Sequence, residues 1–273
     1  MKNEIVIATS ADKGYEQHTS VMLASLFANT KNTRFRIFLL CSGQNLDQER
    51  LKKFVKKRGH ILELIKLNED SMQSFKVTDH ISLATYYRLF IPEIIPKDVE
   101  KLLYLDSDMV ILGDLNPLWE MNIDSFLGAA RKVPEVFDRY DSLEIVSSHP
   151  YFYAGVMLWN LRKIRQIPFT ELSVAYLSRK HAEILWWDMD VLNYMMQGKI
   201  KLLDDFWHIL STEASDNNMK INILHYAGST KPWRFAQHNN RDKFYFQYLA
   251  HTPWRYKIFT NRSYLSLYIT SLI

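Results

Sequence analysis

Residues 101–112 read KLLYLDSDMVIL, an apolar run interrupted by two aspartates one residue apart, Asp106 and Asp108. The flanks, Leu102 to Leu105 and Met109 to Leu112, have the composition of a strand buried on both faces. An ionised carboxylate is costly to remove from water unless it is paired or bound to a cation. Two of them at such a strand end predict a divalent metal, and with it an enzyme acting on a phosphorylated substrate. Farther along, residues 221–233 read INILHYAGSTKPW, a second apolar strand followed by His225, Gly228 and Lys231. A loop that holds phosphate needs a metal ligand, a backbone that can approach oxygen closely, and a fixed cation. Those three residues supply them in that order.

D-x-D after a hydrophobic strand serves two unrelated chemistries. In a haloacid-dehalogenase-type phosphatase the first aspartate is a nucleophile. Val110 suits that pattern, and Lys201 with Asp204 and Asp205 can be set against its later motifs. That motif normally lies near the start of the chain, however, and its later acidic part follows a glycine that is missing here. In a nucleotide-sugar transferase both aspartates are metal ligands, and the H-x-x-G-x-x-K-P-W segment favours this second chemistry.

The elements that must position these residues alternate in type. Residues 5–8 read as a short strand, 9–14 as a polar loop and 18–29 as a helix with Val21, Met22, Leu23, Leu26 and Phe27 on its apolar face. A second strand is expected over 35–41. A basic amphipathic helix follows over 47–58 with Gly59 beyond its end, then a third strand over 60–67. Residues 82–91 predict a helix stopped near Pro92, and 102–112 the central strand with its metal loop. This order implies an α/β fold with a mostly parallel central sheet and helices on both faces. Ligands bind such sheets beyond the carboxyl ends of the strands, where the first-strand loop and the Asp106/Asp108 loop open together.

Composition sets outer bounds. The chain has 273 residues and is 47% hydrophobic, enough for one large α/β domain with an appendage. A single cysteine, Cys41, excludes an intrachain disulfide and suits a reducing compartment. The first residues, MKNEIVIATSADKGYEQ, lack a signal-peptide pattern, and no apolar run is long enough to span a bilayer, so a cytoplasmic protein is expected. Charge is uneven. From residue 230 onward seven basic residues (Lys231, Arg234, Arg241, Lys243, Arg255, Lys257, Arg262) face one acid, Asp242, among many aromatics. Residues 1–235 are thus expected to form the catalytic domain and 236–273 a basic aromatic extension. Such a composition suits docking on the inner face of an anionic membrane, through Trp254, Tyr256 and Phe259; aromatics packed on the main body with solvated charges are the alternative. No nucleic-acid recognition motif accompanies the charge.

Taken in order, IVIATSADKGYEQHTSVMLASL, HISLATYYRLFIPEIIP, KLLYLDSDMVIL, GDLNPLWE, YFYAGVMLWNL, WWDMDVLN and HYAGSTKPW resemble the family 8 retaining glycosyltransferases, the group with bacterial lipopolysaccharide galactosyl- and glucosyltransferases and glycogenin. The resemblance spans roughly residues 3–235. It implies a GT-A-type fold, a UDP-hexose donor, a glycan or glycolipid acceptor, and a metal held by Asp106, Asp108 and His225. A carboxylate-plus-imidazole set suits Mn²⁺ better than Mg²⁺, which prefers oxygen ligands.

By the same resemblance Ala8, Thr9 and Tyr15 sit at the uridine, with Tyr15 stacking on the base and Asp12 hydrogen-bonding the uracil. Asp106, Ser107, Asp108, Gly228 and Lys231 surround the diphosphate. Arg88 contacts the donor and steadies the aspartate loop, and His80 belongs to the acceptor site. Asp188 matches a carboxylate near the donor-sugar hydroxyls, with a helix N-cap as its alternative role. Asp188, Arg88 and Lys231 form the catalytic set. Three positions depart from the family pattern. Met189 stands where glutamine is common, Tyr153 where an asparagine contacts the sugar, and Arg131 with Lys132 where an acid is common. Methionine cannot act as an oxygen nucleophile, so retention here implies same-face attack by the acceptor as UDP leaves. The departures also raise a third reading, a degenerate transferase that binds a nucleotide sugar without turnover.

Overall fold

The computed structural model describes residues 3–12, 14–42, 47–72, 75, 82–134, 138–213, 219–234, 240–260 and 262–270; His80, assigned to the acceptor, lies outside them. Strands β1 (Asn3–Ser10), β2 (Thr33–Cys41) and β3 (Ile61–Lys66) pair in parallel, as their apolar runs predict. On its other edge β1 pairs in parallel with β4 (Lys101–Leu105). Three further strands extend this sheet, and β5 (Met109–Ile111) leaves it. They are β6 (Gly128–Lys132), β7 (Phe152–Asn160) and β8 (Ile200–Leu203), giving the order β3-β2-β1-β4-β7-β6-β8. Only β7 runs antiparallel to its neighbours. The small strands β9 (Ile209–Leu210) and β10 (Ile223–His225) join β5 in a second sheet, β5-β10-β9.

The run 102–112 is therefore two strands in two sheets. Leu103 and Leu105 of β4 enter one core cluster and Leu102 and Tyr104 the other, which is why this strand reads as apolar without alternation. The chain turns at Asp106–Asp108 and resumes as β5, packed with helix α1 (Glu16–Asn29).

Helices cover both faces. Leu51, Phe54 and Val55 of α2 (Gln48–Lys56) pack in the α1 layer, and the helices Phe169–Arg179 and Trp187–Met195 pack on the opposite face. The helix expected over residues 82–91 takes another form. Leu83–Phe90 is 3₁₀, and Pro92 lies in the first turn of a short α-helix, Ile91–Ile94. Proline lacks only an N–H that the first turn leaves unused, so it starts this helix instead of ending the previous one.

Four of the C-terminal aromatics belong to the core. Tyr245, Phe246, Tyr248 and Trp254 are buried in the cluster that holds β1 and α1. The Tyr245 hydroxyl meets Gln17 Nε2 at 2.8 Å and His18 Nδ1 at 2.7 Å, and Asn29 Nδ2 donates to the Tyr248 hydroxyl at 2.7 Å. Trp254, expected at a membrane, instead faces inward with the Arg50 guanidinium 5.4 Å over its ring. Tyr256 is half exposed, and the side chain of Phe259 lies outside the described set. Among the described residues no helix is long and apolar enough to cross a membrane.

Candidate active site

Asp106 follows β4 directly, and its amide donates to the Gly155 carbonyl of β7 at 3.0 Å. The Asp108 carbonyl accepts from the Tyr226 amide at 3.1 Å, while Met109 of β5 pairs with His225 of β10. These backbone links bring a carboxylate loop and an imidazole more than 110 residues apart into one site. His225 Nε2 lies 3.0 Å from Asp108 Oδ1 and 3.7 Å from Asp106 Oδ2. One ligand atom from each of Asp106, Asp108 and His225 falls within 4.8 Å of the others. Gly155 forms the floor of this cluster. A Cβ there would lie 2.8 Å from Asp106 Oδ2 and 2.8 Å from His225 Cε1. Three convergent donors over a floor with no side chain fit a divalent cation.

Two buried cations face the carboxylates. Arg88 Nη2 donates to Asp106 Oδ1 at 2.7 Å and Nη1 to the Ala154 carbonyl at 2.7 Å, with the guanidinium 4.4 Å over the Tyr104 ring. Burial opposes its charge, but Asp106 and Asp188 hold it protonated well above the ordinary arginine range. Lys231 Nζ pairs with Asp108 Oδ2 and donates to the Tyr226 carbonyl at 2.5 Å. Burial pushes the Asp108 carboxyl up, and Lys231 and His225 outweigh that, holding it well below the usual carboxylate range. Gly228, at φ 75°, turns the loop between His225 and Lys231 in the left-handed region that glycine adopts at least cost.

Asp12, Tyr15, Arg88, Asp106, Ser107, Asp108, Asp188, His225, Gly228 and Lys231 all line one cavity of about 1320 Å³. Ala8 and Thr9 do not. Both are fully buried within β1, which is paired on either side, so Ser10 and Ala11 face the cavity in their place. Ser10 Oγ lies 2.7 Å from the Tyr104 hydroxyl. Tyr15 packs edge-on to His18 at 5.1 Å, and His18 stacks on Trp233 at 3.6 Å. Burial lowers the His18 pKa to about 3, so the ring is neutral. Lys201 donates to the Asn122 carbonyl at 3.0 Å away from the cavity, and neither Asp204 nor Asp205 lines it. The phosphatase constellation is not assembled.

Asp188 is buried on the first turn of the Trp187–Met195 helix and does not cap it. Arg88 Nε lies 2.9 Å from Asp188 Oδ2, but its N–H is directed at the Thr85 carbonyl 3.2 Å away. That oxygen has an ion-pair partner and no aligned hydrogen bond. Burial raises the Asp188 pKa to about 7; Arg88 pulls it down and Asp106 pushes it up. Asp190 does the capping. It accepts from the amides of Leu185 and Trp186, each at 2.9 Å, and pairs with Arg139 at 2.9 Å.

Met189 and Tyr153, the departures noted in the sequence, both line the cavity. The Tyr153 hydroxyl donates to Glu213 Oε1 at 2.9 Å, and Arg131 reaches Glu213 Oε2 at 2.5 Å. Gly155 and His208 also line the cavity, and nothing in the sequence marks either. The latter is fully buried, and its Nε2 lies 2.8 Å from His225 Nδ1.

A mostly parallel sheet thus carries, at its strand ends, three convergent side chains able to hold a metal and two buried cations paired with the carboxylates. The glycosyl transferase family 8 model matches residues 6–237, and the chain belongs to that family. It is 26% identical to general stress protein A of Bacillus subtilis, over 93% of this chain and 96% of that one. It is 24% identical to a lipopolysaccharide 1,2-glucosyltransferase of Escherichia coli K12, over 91% and 78%. The structure of the galactosyltransferase LgtC with donor and acceptor sugar analogues superposes with a TM-score of 0.84 at 23% identity, covering 93% of this chain and all of that one. GlyE of Streptococcus pneumoniae gives 0.71 at 20% identity, over 92% and 62%. The fold is GT-A-like, and the chain is a family 8 glycosyltransferase.

Proposed function

We propose that this enzyme transfers a hexose, glucose or galactose, from a UDP-sugar to a glycan or glycolipid acceptor such as lipopolysaccharide, with retention of configuration. The observation that carries the reading is the convergence of Asp106, Asp108 and His225 with Lys231 and Arg88 on one cavity. Mn²⁺, with Mg²⁺ as a substitute, fits the triad and supplies Lewis acidity at the diphosphate when bound. Lys231 and the Gly228 amide add fixed positive charge where the leaving UDP gains negative charge. Tyr15 and Asp12 suit the uracil, and Ser107 lies between the two carboxylates. Asp188 offers an acceptor oxygen to a sugar hydroxyl.

Met189 offers no nucleophilic oxygen, and Asp190 is spent on Arg139 and two backbone amides. This supports same-face attack, with the acceptor hydroxyl displacing UDP and its proton passing to the leaving phosphate oxygen. The E. coli relative named for lipopolysaccharide supports a glycolipid acceptor. We place the enzyme in the cytoplasm, with residues 1–235 as the catalytic unit. Tyr245 and Tyr248 of the 236–273 segment brace α1, and the segment would present its basic residues and Tyr256 to the inner face of an anionic membrane. Calorimetry of UDP with and without Mn²⁺ tests the reading. Binding should require Mn²⁺ and disappear in Asp108→Asn; equal UDP affinity with and without the metal would count against it.

A further inference from the structure

His225 can serve a metal only through Nε2, the nitrogen that faces Asp108 and Asp106 at 3.0 and 3.7 Å. That nitrogen must then be bare, so the ring's proton sits on Nδ1. Nδ1 is 2.8 Å from His208 Nε2, and the two rings are tilted by only 23°. We propose that His208 is the positioning residue of the metal centre, accepting the His225 Nδ1 proton and so fixing both the tautomer and the ring plane of that ligand. The inference rests on the metal reading above and adds a residue to it.

The geometry has a consequence for His208 itself. With Nε2 accepting, its own proton must occupy Nδ1, which is buried and has no hydrogen-bond partner among the described residues. Without a metal the opposite arrangement satisfies more groups. His225 Nε2–H then donates to Asp108, His208 Nε2–H donates to His225 Nδ1, and the buried His208 Nδ1 carries no proton. Metal binding thus shifts the proton on both rings, and the bound state keeps one unpaired buried N–H.

The surroundings show why His208 holds its place. Its carbonyl accepts from Arg131 Nη1 at 2.8 Å, and its amide donates to the Asp205 carbonyl at 2.9 Å. Arg131 is locked in turn by Asp205 at 2.9 Å and by Glu213. Glu213 also takes the Tyr153 hydroxyl at 2.9 Å and the Leu210 amide at 3.1 Å. The Tyr153 ring stands edge-on to His208 at 5.3 Å. Arg131 and Tyr153, the departures that suggested degeneration, are therefore two parts of one brace around the metal ligand's partner.

The test is Mn²⁺ binding to the full chain, read by electron paramagnetic resonance of the free ion. His208→Phe removes the acceptor, and Mn²⁺ should bind about 10- to 100-fold more weakly. His208→Gln puts an amide oxygen in reach of His225 Nδ1 without the tautomer cost, and should bind at least as tightly as wild type. Thermal unfolding checks that both variants fold. Should His208→Phe fail to fold, nitrogen-15 histidine spectra of the wild type loaded with diamagnetic Mg²⁺ answer the same question. They should show His225 protonated at Nδ1. Equal Mn²⁺ affinity in His208→Phe and wild type, loss in His208→Gln as large as in His208→Phe, or a bare His225 Nδ1 in the loaded protein would each overturn the assignment. Wild type that binds no Mn²⁺, or Asp108→Asn that binds it normally, would remove the metal centre itself and this proposal with it.

Discussion

Alanine at position 155 tests the site at its floor. The added methyl would lie 2.8 Å from Asp106 Oδ2 and from His225 Cε1, and 3.0 Å from His225 Nδ1, where ordinary contact begins at 3.4 Å. The Asp106 carboxylate and the His225 ring must each give by about 0.6 Å at their nearest atoms, while metal–ligand distances tolerate about 0.2 Å. Two of the three ligands cannot move that far and still converge. Mn²⁺ affinity should fall about 10- to 100-fold, or roughly 1.4–2.8 kcal/mol. Overpacking should also cost about 1–3 kcal/mol of stability, a drop in Tm of roughly 2–10 °C for a chain of this size. Gly128→Ala separates the two effects. Its methyl would lie 2.7 Å from the Leu158 carbonyl, and Gly128 pairs with Trp159, four residues further along β7. Gly128→Ala should lower Tm and leave Mn²⁺ affinity unchanged. Isothermal titration with MnCl₂ beside thermal denaturation reads both. A Gly155→Ala protein that binds Mn²⁺ like wild type would refute the triad geometry.

Three further outcomes follow from the buried charges. Asp188 has a pKa raised to about 7 from 3.8, so the folded protein holds a proton that the unfolded chain releases, and its ionisation costs stability as pH rises through that interval. In metal-free buffer Asp188→Asn should be more stable than wild type above pH 7, by about 4 kcal/mol at most, with no difference near pH 4; a gain that does not depend on pH would contradict this. Arg88→Met strands the carboxylates of Asp106 and Asp188 and should cost about 3–5 kcal/mol in urea denaturation, part of it recovered by adding Asp188→Asn; a loss below about 1 kcal/mol would show that the pairs are not buried as described. His18, at about 3 against an ordinary 6.5, contributes stability that is complete above pH 6.5 and is lost as pH falls towards 3, at about 1.4 kcal/mol per pH unit. His18→Gln should flatten the stability profile between pH 6 and 4.5, and an unchanged slope would remove His18 as its source.

Much of the site was legible because a charged residue closing an apolar strand is costly unless it meets an opposite charge or a ligand. Asp106 and His225 each close a run of core residues, Asp108 and Lys231 follow them by two and six residues, and the structure gathers all four in one cavity. Other features depend on pairing across long separations. Nothing near His208 in the sequence indicates that β9 lies beside β10 and so places it against His225. Asp188 and Asp190 are two residues apart on one helix turn, and only the fold shows that the second does the capping while the first faces the cavity. Ala8 and Thr9 lie buried inside β1, and the cavity wall begins at Ser10, a strand end that the apolar run alone does not mark. The aromatic C-terminal segment has a composition that serves a membrane surface or a core equally well. Hydrogen bonds from Gln17 and Asn29 commit Tyr245 and Tyr248 to the core, where Phe246 and Trp254 are buried with them.

Metal-dependent transfer from a UDP-sugar at the Asp106–Asp108–His225 site is read out by UDP release. Wild type and Asp108→Asn would be incubated with a panel of UDP-sugars and a lipopolysaccharide acceptor preparation, with Mn²⁺ or with chelator. Release is expected from one UDP-hexose, dependent on Mn²⁺ and lost in the variant. Release unaffected by chelator and by Asp108→Asn would contradict it, and Mn²⁺-dependent UDP binding with no release from any sugar would mark a protein that binds the donor without turning it over.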